Sequence, residues 1–206
     1  MSTTISTLTI RPHWNGAHLT PEDFDACDDW EPGHRYELIN GVLIVTPPPS
    51  EGERGPNEDL GRWLLNHFDS QDSPPYYYTL PEHTVVRDAN RRRADRVIWA
   101  GLDRFPNVRE DQPAIVVEFV SADRRDRIRD CETKRQEYLS VGIQEYWIID
   151  RFVRQMLVVR KTDTGFTEHR IVETENYATN LLPRFELPIR RLFAIADQLR
   201  DATTDE

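Results

Sequence analysis

Short runs of alternating hydrophobic and polar residues predict a succession of strands along the chain. Two such runs flank Asn40-Gly41, a dipeptide that favours a hairpin turn with positive φ at both central positions. Runs over residues 74–88 and 91–101 predict the next two strands, and residues 114–120 predict a strand that is buried on both faces. We therefore expect a hairpin followed by three strands in the first two thirds of the chain.

Apolar residues at helical spacing predict helices between and after these strands. Thr20 and Pro21 fit the cap and first position of a short helix. A longer helix is predicted to begin at Pro56, and another to cover residues 126–140. A closing helix is predicted to begin at Pro188.

The run "EYWIID" predicts one more buried strand, over residues 145–150, and a final hairpin turns at residues 163–165. The order of elements indicates an α/β or α+β fold: a single mixed sheet flanked by helices, with an N-terminal hairpin and a C-terminal hairpin plus helix. We expect residues 1–200 to form one domain and residues 201–206 to be a disordered tail.

Composition narrows the protein class. Charged residues make up 30% of the chain and hydrophobic residues 38%, as in soluble globular proteins. No run approaches the roughly 18 apolar residues that cross a bilayer, so we expect no membrane association and a cytoplasmic location. The net charge of −10 argues against a protein that coats nucleic acid non-specifically.

One acidic residue interrupts the predicted buried strand and indicates chemistry. Glu118 lies within the apolar run of residues 115–120, where an ionised carboxylate needs a partner, a metal or a raised pKa. Asp95 lies on the preceding strand, and sequential strands are usually neighbours. The two carboxylates are therefore expected to converge and to hold Mg²⁺, or Mn²⁺ in its place.

A cation on the next helix is expected to complete this site. Lys134 lies beside Tyr138 at the margin of the apolar stripe of the predicted helix, so its ammonium can reach the two acids. There it would orient an attacking water and offset charge on a phosphate. The structural alternatives are a salt bridge from Glu118 to a helix arginine such as Arg135 and a surface ion pair for Asp95.

These residues resemble the PD-(D/E)xK nucleases, and the segments "YELINGVL", "VVEFVS" and "EYWIID" resemble the Uma-type restriction endonucleases. The resemblance implies a restriction-endonuclease-like fold, a homodimer and Mg²⁺-dependent hydrolysis of DNA, with RNA as an open alternative. Asp95 matches the first acid of the pattern and Glu118 the second. Glu37 matches a glutamate of the early hairpin and is expected to support the site; Glu58 is a weaker candidate for the same role.

The chain departs from the superfamily pattern at two positions. Ala94 stands where proline is usual, and Val120 stands where the pattern has its lysine, so Lys134 would have to supply the amine from the helix. Arginines around the acids are expected to contact phosphates: Arg91, Arg92, Arg124 and Arg125. The alternative to an enzyme is a non-catalytic interaction or structural module that keeps the nuclease scaffold.

Overall fold

In a computed structural model of the chain, the structure describes residues 9–70, 75–121 and 134–202. They fall into two compact units. The first comprises residues up to Pro48 together with Thr84–Arg93, and the second comprises Pro49–His83 and the chain from Ala94 onward. Strands β5 (Tyr76–Arg87) and β6 (Asn90–Leu102) each run through both units.

The first unit contains short elements around a small apolar core. Its elements in chain order are β1 (Thr9–Ile10), a 3-10 turn (Pro12–Trp14), α1 (Pro21–Asp25), β2 (Asp29–Trp30), β3 (Arg35–Ile39) and β4 (Val42–Thr46). The core side chains are Ile10, Phe24, Cys27, Tyr36, Leu38 and Leu43. The Thr20 hydroxyl caps α1 by accepting from the Asp23 amide at 3.1 Å, as predicted.

The hairpin between β3 and β4 has the predicted turn. Asn40 and Gly41 have φ values of 51° and 75°, and Ile39 pairs with Val42 across the turn. Asparagine and glycine tolerate this left-handed backbone better than other residues, which is why the local sequence was sufficient to predict the turn.

The second unit is built on a mixed sheet. Its further elements are α2 (Glu51–Asp69), β7 (Ile115–Phe119), α3 (Lys134–Ser140), β8 (Glu145–Asp150), β9 (Gln155–Thr162), β10 (Gly165–Val172), β11 (Asn176–Ala178), β12 (Glu186–Pro188) and α4 (Ile189–Ala202). The strand order is β10-β9-β8-β7-β6, and β5 also pairs with β6. Among the neighbouring strands from β6 to β10, β7 and β8 pair in parallel, and the other three pairs are antiparallel. This mixed sheet flanked by helices confirms the predicted fold class.

Helices α2 and α4 cover one face of this sheet. Their side chains, among them Leu60, Leu64 and Phe193, pack on the odd-numbered positions of β7 and β8, which include Val117 and Trp147. The even-numbered positions point to the opposite face, where the Tyr138 ring of α3 meets Tyr146 edge-on at 5.2 Å between centroids. Glu118 shares this second face, because side chains alternate along a strand.

Helix α2 corrects one prediction. It begins at Glu51, so Pro56 lies inside the helix and is not its entry. The Glu53 carboxylate accepts from the Ser50 amide at 2.9 Å and also bonds the Ser50 hydroxyl. Serine followed three residues later by glutamate is a capping signal that was present in the sequence and outweighs the proline.

Glu145 at the start of β8 joins three strands and the segment after β11. It is 1% exposed, and its two oxygens accept four hydrogen bonds of 2.8–2.9 Å, from Trp147, Arg160, Tyr177 and Thr179. Burial and the neighbouring carboxylate raise the pKa of Tyr177. A buried carboxylate with this many donors is satisfied by structure alone, so Glu145 is a structural residue.

The outer strand β10 is exposed at every residue except Ile171. It pairs with β9 throughout its length, and it is the last strand of the sheet among the described residues. Across all these residues, no helix is long and apolar enough to cross a membrane.

Candidate active site

Glu118 forms a buried ion pair with Lys134. The Lys134 ammonium lies 2.8 Å from Glu118 Oε1, and the two residues are 3% and 2% exposed. Strand parity places Glu118 on the face that α3 covers, and Lys134 is the first described residue of that helix. The proposed alternative partner, Arg135, instead pairs with Glu168 of β10 and lies over the Phe166 ring.

Tyr138 is a site residue that the sequence analysis missed. Its hydroxyl donates to the same oxygen, Glu118 Oε1, at 3.0 Å. Positions four apart lie on the same face of a helix, so the spacing from Lys134 was the available signal. An ammonium and a hydroxyl from one helix thus hold one carboxylate oxygen.

Asp95 and Glu118 lie on the adjacent antiparallel strands β6 and β7. The pairing of these strands ends at Arg96↔Val117, and Asp95 and Glu118 are the next residues of the two strands. Asp95 is 5% exposed, and its Oδ2 accepts from the Phe119 amide at 2.7 Å. The Asp95 carboxylate is thus bonded to the residue that follows Glu118, and the convergence of the two predicted metal ligands stays a prediction.

Helix α2 fixes the backbone of Asp95. The side-chain Nδ2 of Asn57 donates to the Asp95 backbone carbonyl at 2.9 Å, and Asn57 Oδ1 accepts from Arg96 Nε at 2.7 Å. Burial lowers the pKa of Arg96 to about 10. Gly61 provides the space for this guanidinium, since a Cβ there would lie 2.4 Å from Arg96 Nη2.

Glu53 and Arg151 lie close to this centre and were also missed. Burial raises the pKa of Glu53, and the charge of Asp95 raises it further, whereas Ser50 and Arg151 oppose these effects. Glu53 and Arg151 line one small cavity together with Phe119 and Val120. Glu53 is therefore the acid of α2 that interacts with Asp95, while the predicted Glu58 is exposed.

Glu37 belongs to the first unit and is 5% exposed. Its Oε1 accepts from the Arg93 amide at 2.9 Å, and its Oε2 lies 3.8 Å from Arg92 Nη1. These contacts join β3 to the first residues of β6. The supporting catalytic role of Glu37 stays a prediction.

The four arginines predicted to contact phosphates have different surroundings. Arg91 binds both oxygens of Asp25, at 2.7 and 2.6 Å, and Arg92 is 1% exposed. Both therefore have structural contacts in the first unit, and their contact with nucleic acid stays a prediction. Arg124 and Arg125 lie outside the described residues.

The profile of the Uma2 family, described as putative restriction endonuclease, matches residues 21–190. The chain belongs to the Uma2 family. Membership confirms the resemblance drawn from the sequence and supports a nuclease, a hydrolase that acts on nucleic acid.

A solved structure has the same fold. The chain is similar to a protein from Anabaena variabilis described as a putative nuclease belonging to DUF820, with a TM-score of 0.65 at 16% sequence identity. The match covers 86% of this chain and 99% of that chain. No curated protein matches the chain.

The donor set of this Uma2-family chain suits a hard divalent cation. Asp95 and Glu118 offer carboxylate oxygens from adjacent strands, and Mg²⁺ commonly takes one or two carboxylates and fills its other positions with water or phosphate oxygens. Among residues 9–70, 75–121 and 134–202, no group of three or more His, Cys, Asp and Glu side chains is arranged to hold a metal. Two carboxylates are ligands of the kind that divalent cations take in proteins.

Proposed function

We propose that this protein is a metal-dependent endonuclease that hydrolyses phosphodiester bonds of DNA. The observation that carries the proposal is the buried Lys134–Glu118 pair, 2.8 Å long, with the Asp95 carboxylate on the adjacent strand bonded to the amide of Phe119, the residue after Glu118. Membership of the Uma2 family supports a nucleic acid as the substrate. Charged groups are rarely buried together at a strand end without a structural or chemical reason.

Asp95 and Glu118 would hold Mg²⁺ or Mn²⁺, which when bound polarises the phosphodiester and lowers the pKa of a water. The Lys134 ammonium lies beside Glu118. There it would orient the attacking water and offset negative charge in the transition state. Tyr138 keeps the Glu118 carboxylate in position by donating to Oε1. Water adds to phosphorus, the bond from phosphorus to the leaving sugar oxygen breaks, and that oxygen takes a proton.

A plasmid cleavage assay with Mg²⁺ or Mn²⁺ tests this function. The parent chain is compared with Asp95→Ala, Glu118→Ala and Lys134→Ala, and Glu58→Ala is the matched control because that acid is exposed. We expect the control to cleave as the parent does and each site variant to lose at least about a hundredfold in rate. Cleavage that survives all three site changes would remove the assignment, as would full activity in excess EDTA.

The same ion pair also favours a second candidate, a non-catalytic interaction module that retains the scaffold. A lysine and a glutamate that neutralise each other in the interior can serve stability alone, and the net charge of −10 disfavours broad contact with a polyanion. Purified parent protein that neither cleaves nor binds DNA in the presence of Mn²⁺, while remaining folded, would favour this candidate.

A further inference from the structure

Arg151 follows directly after β8 and carries a guanidinium that forms no hydrogen bond with the residues the structure describes. Its Nε is buried and has no hydrogen-bond acceptor, and among the described residues Arg151 forms no salt bridge. Its side chain as a whole is partly exposed. Guanidinium groups in folded proteins usually bind carboxylates or carbonyls through several of their five donors, so this one is available to an external acceptor.

The guanidinium is nevertheless held in place. It lies over the Phe152 ring, 4.8 Å from the ring centroid. It also lies against Gly52 in the first turn of α2, where an added Cβ would lie 1.7 Å from Arg151 Nη1. A glycine at this position is therefore required for the guanidinium to lie where it does. A planar cation that packs against a ring and a backbone is preorganised for a bidentate acceptor.

The position of Arg151 relates it to the candidate active site. In the parallel pair of β7 and β8, Glu118 is the partner of Ile148, and Arg151 follows Ile148 by three residues. At about 3.3 Å per residue this is a distance on the order of 10 Å along the strand direction. Arg151 thus lies near the carboxyl ends of β7 and β8, where it lines a cavity with Gly52 and Glu53 of α2 and with Phe119. The Glu53 carboxylate interacts electrostatically with both Arg151 and Asp95, which relates Arg151 to the candidate ligands.

Glu53 is an acidic group that interacts with this guanidinium electrostatically but does not form a hydrogen bond with it. Its carboxylate is engaged by the Ser50 amide and hydroxyl, and its interaction with Arg151 is one of longer range that lowers the pKa of Glu53. Arg151 therefore keeps its hydrogen-bonding capacity for a ligand that approaches from solvent.

We propose that Arg151, which packs against Phe152 and Gly52, binds a backbone phosphate of DNA next to the one that is cleaved. The inference rests on the proposed nuclease function for the identity of the ligand. A backbone phosphate has two non-bridging oxygens that can accept both hydrogen bonds of a guanidinium fork. The contact would set the register of the DNA strand over Asp95 and Glu118. It carries no information about base sequence.

Binding of a short fluorescent DNA duplex in EDTA tests the proposal without cleavage. Arg151→Gln removes the donors, and Gly52→Ala keeps the charge but displaces the guanidinium. Arg109→Gln is the control, because Arg109 is an exposed arginine that precedes the opposite end of β7. We expect Arg151→Gln and Gly52→Ala each to weaken binding by about tenfold, Arg151→Gln to reduce the salt slope by about one, and the control to have little effect.

The outcomes separate this proposal from the proposed function. Equal affinities for Arg151→Gln and Arg109→Gln would overturn it, and so would parental affinity in Gly52→Ala, with thermal unfolding midpoints confirming that all variants are folded. A parent chain that does not bind the duplex would also overturn it. If duplex binding depends on Arg151 but no metal supports cleavage, the phosphate contact stands and only the nuclease assignment fails.

Discussion

Lys134 and Glu118 form a buried ion pair at 2.8 Å between a helix and the adjacent strand. Breaking a buried pair leaves an uncompensated charge in the interior, whereas removing both charges together costs far less. The pair therefore makes a prediction about stability that is separate from its role in cleavage.

Single substitutions at this pair are expected to destabilise the protein by about 3–5 kcal/mol each, and the double variant by much less than their sum. The variants are Lys134→Met, Glu118→Gln and the two combined, since glutamine still accepts from Tyr138. Urea unfolding measures the free energies. If the double variant regains stability but not cleavage, the pair has a chemical role; a fully active double variant would exclude one.

Asp95→Asn is expected to preserve the fold and abolish cleavage. The asparagine oxygen can still accept from the Phe119 amide, which Asp95 bonds at 2.7 Å, so we expect the unfolding free energy to change by less than about 1 kcal/mol. The loss of negative charge removes one of the two candidate metal ligands. Mn²⁺ binding by calorimetry is the direct measurement, and binding equal to that of the parent would contradict the assignment.

Glu53→Gln is expected to stabilise the protein at neutral pH. Burial raises the pKa of Glu53 above its ordinary value of 4.5, so the folded state holds this proton more tightly than the unfolded state. Stability therefore falls as the pH rises from about 4.5 through the folded pKa. Glutamine keeps the capping contact to Ser50 and removes the charge.

The measurement for Glu53 is the unfolding free energy of both proteins across this pH range. We expect the advantage of Glu53→Gln to disappear below about pH 4.5, where the parent is protonated in both states. Glu51→Gln is the matched control, because Glu51 lies in the same turn and is exposed. A pH-independent difference between parent and Glu53→Gln would contradict the argument.

Asn57→Ala is expected to cost about 2–3 kcal/mol, because it removes the acceptor of the buried Arg96 Nε and leaves Thr79 Oγ1 as the other side-chain acceptor of this guanidinium. Adding Arg96→Met should recover part of that loss, since no buried cation then lacks its partner. Thermal unfolding of the two single variants and the double variant measures the coupling. If the loss of stability in the double variant equals the sum of the two single losses, the Asn57–Arg96 contact does not contribute to stability.

The sequence predicted the parts of the site that depend on local periodicity. Strand parity placed Glu118 and Asp95 on one face, and helical spacing placed Lys134 near them. The hairpins followed from turn chemistry at Asn40-Gly41 and near Gly165. These features depend on neighbours a few residues away, or on strands that are consecutive in the chain.

Glu53 and Arg151 could not be predicted in this way. Their proximity to each other and to Asp95 results from packing of the α2 N-terminus against the strand ends, between residues separated by 42 to 98 positions. Gly52 shows the same limit, because the space that it leaves for Arg151 is visible only once the helix and the strand have met. Local propensity contains no information about such contacts.

The hairpin of β9 and the exposed outer strand β10 is a suitable place for attaching a reporter group. Its polar side chains, including Glu168 and Arg170, face solvent, and charged residues on an outer strand hinder pairing with a second chain. A dye or a surface tether joined at the tip, at Asp163 or Thr164, would leave the buried strands and the acidic pair untouched, so single molecules could be followed on immobilised DNA.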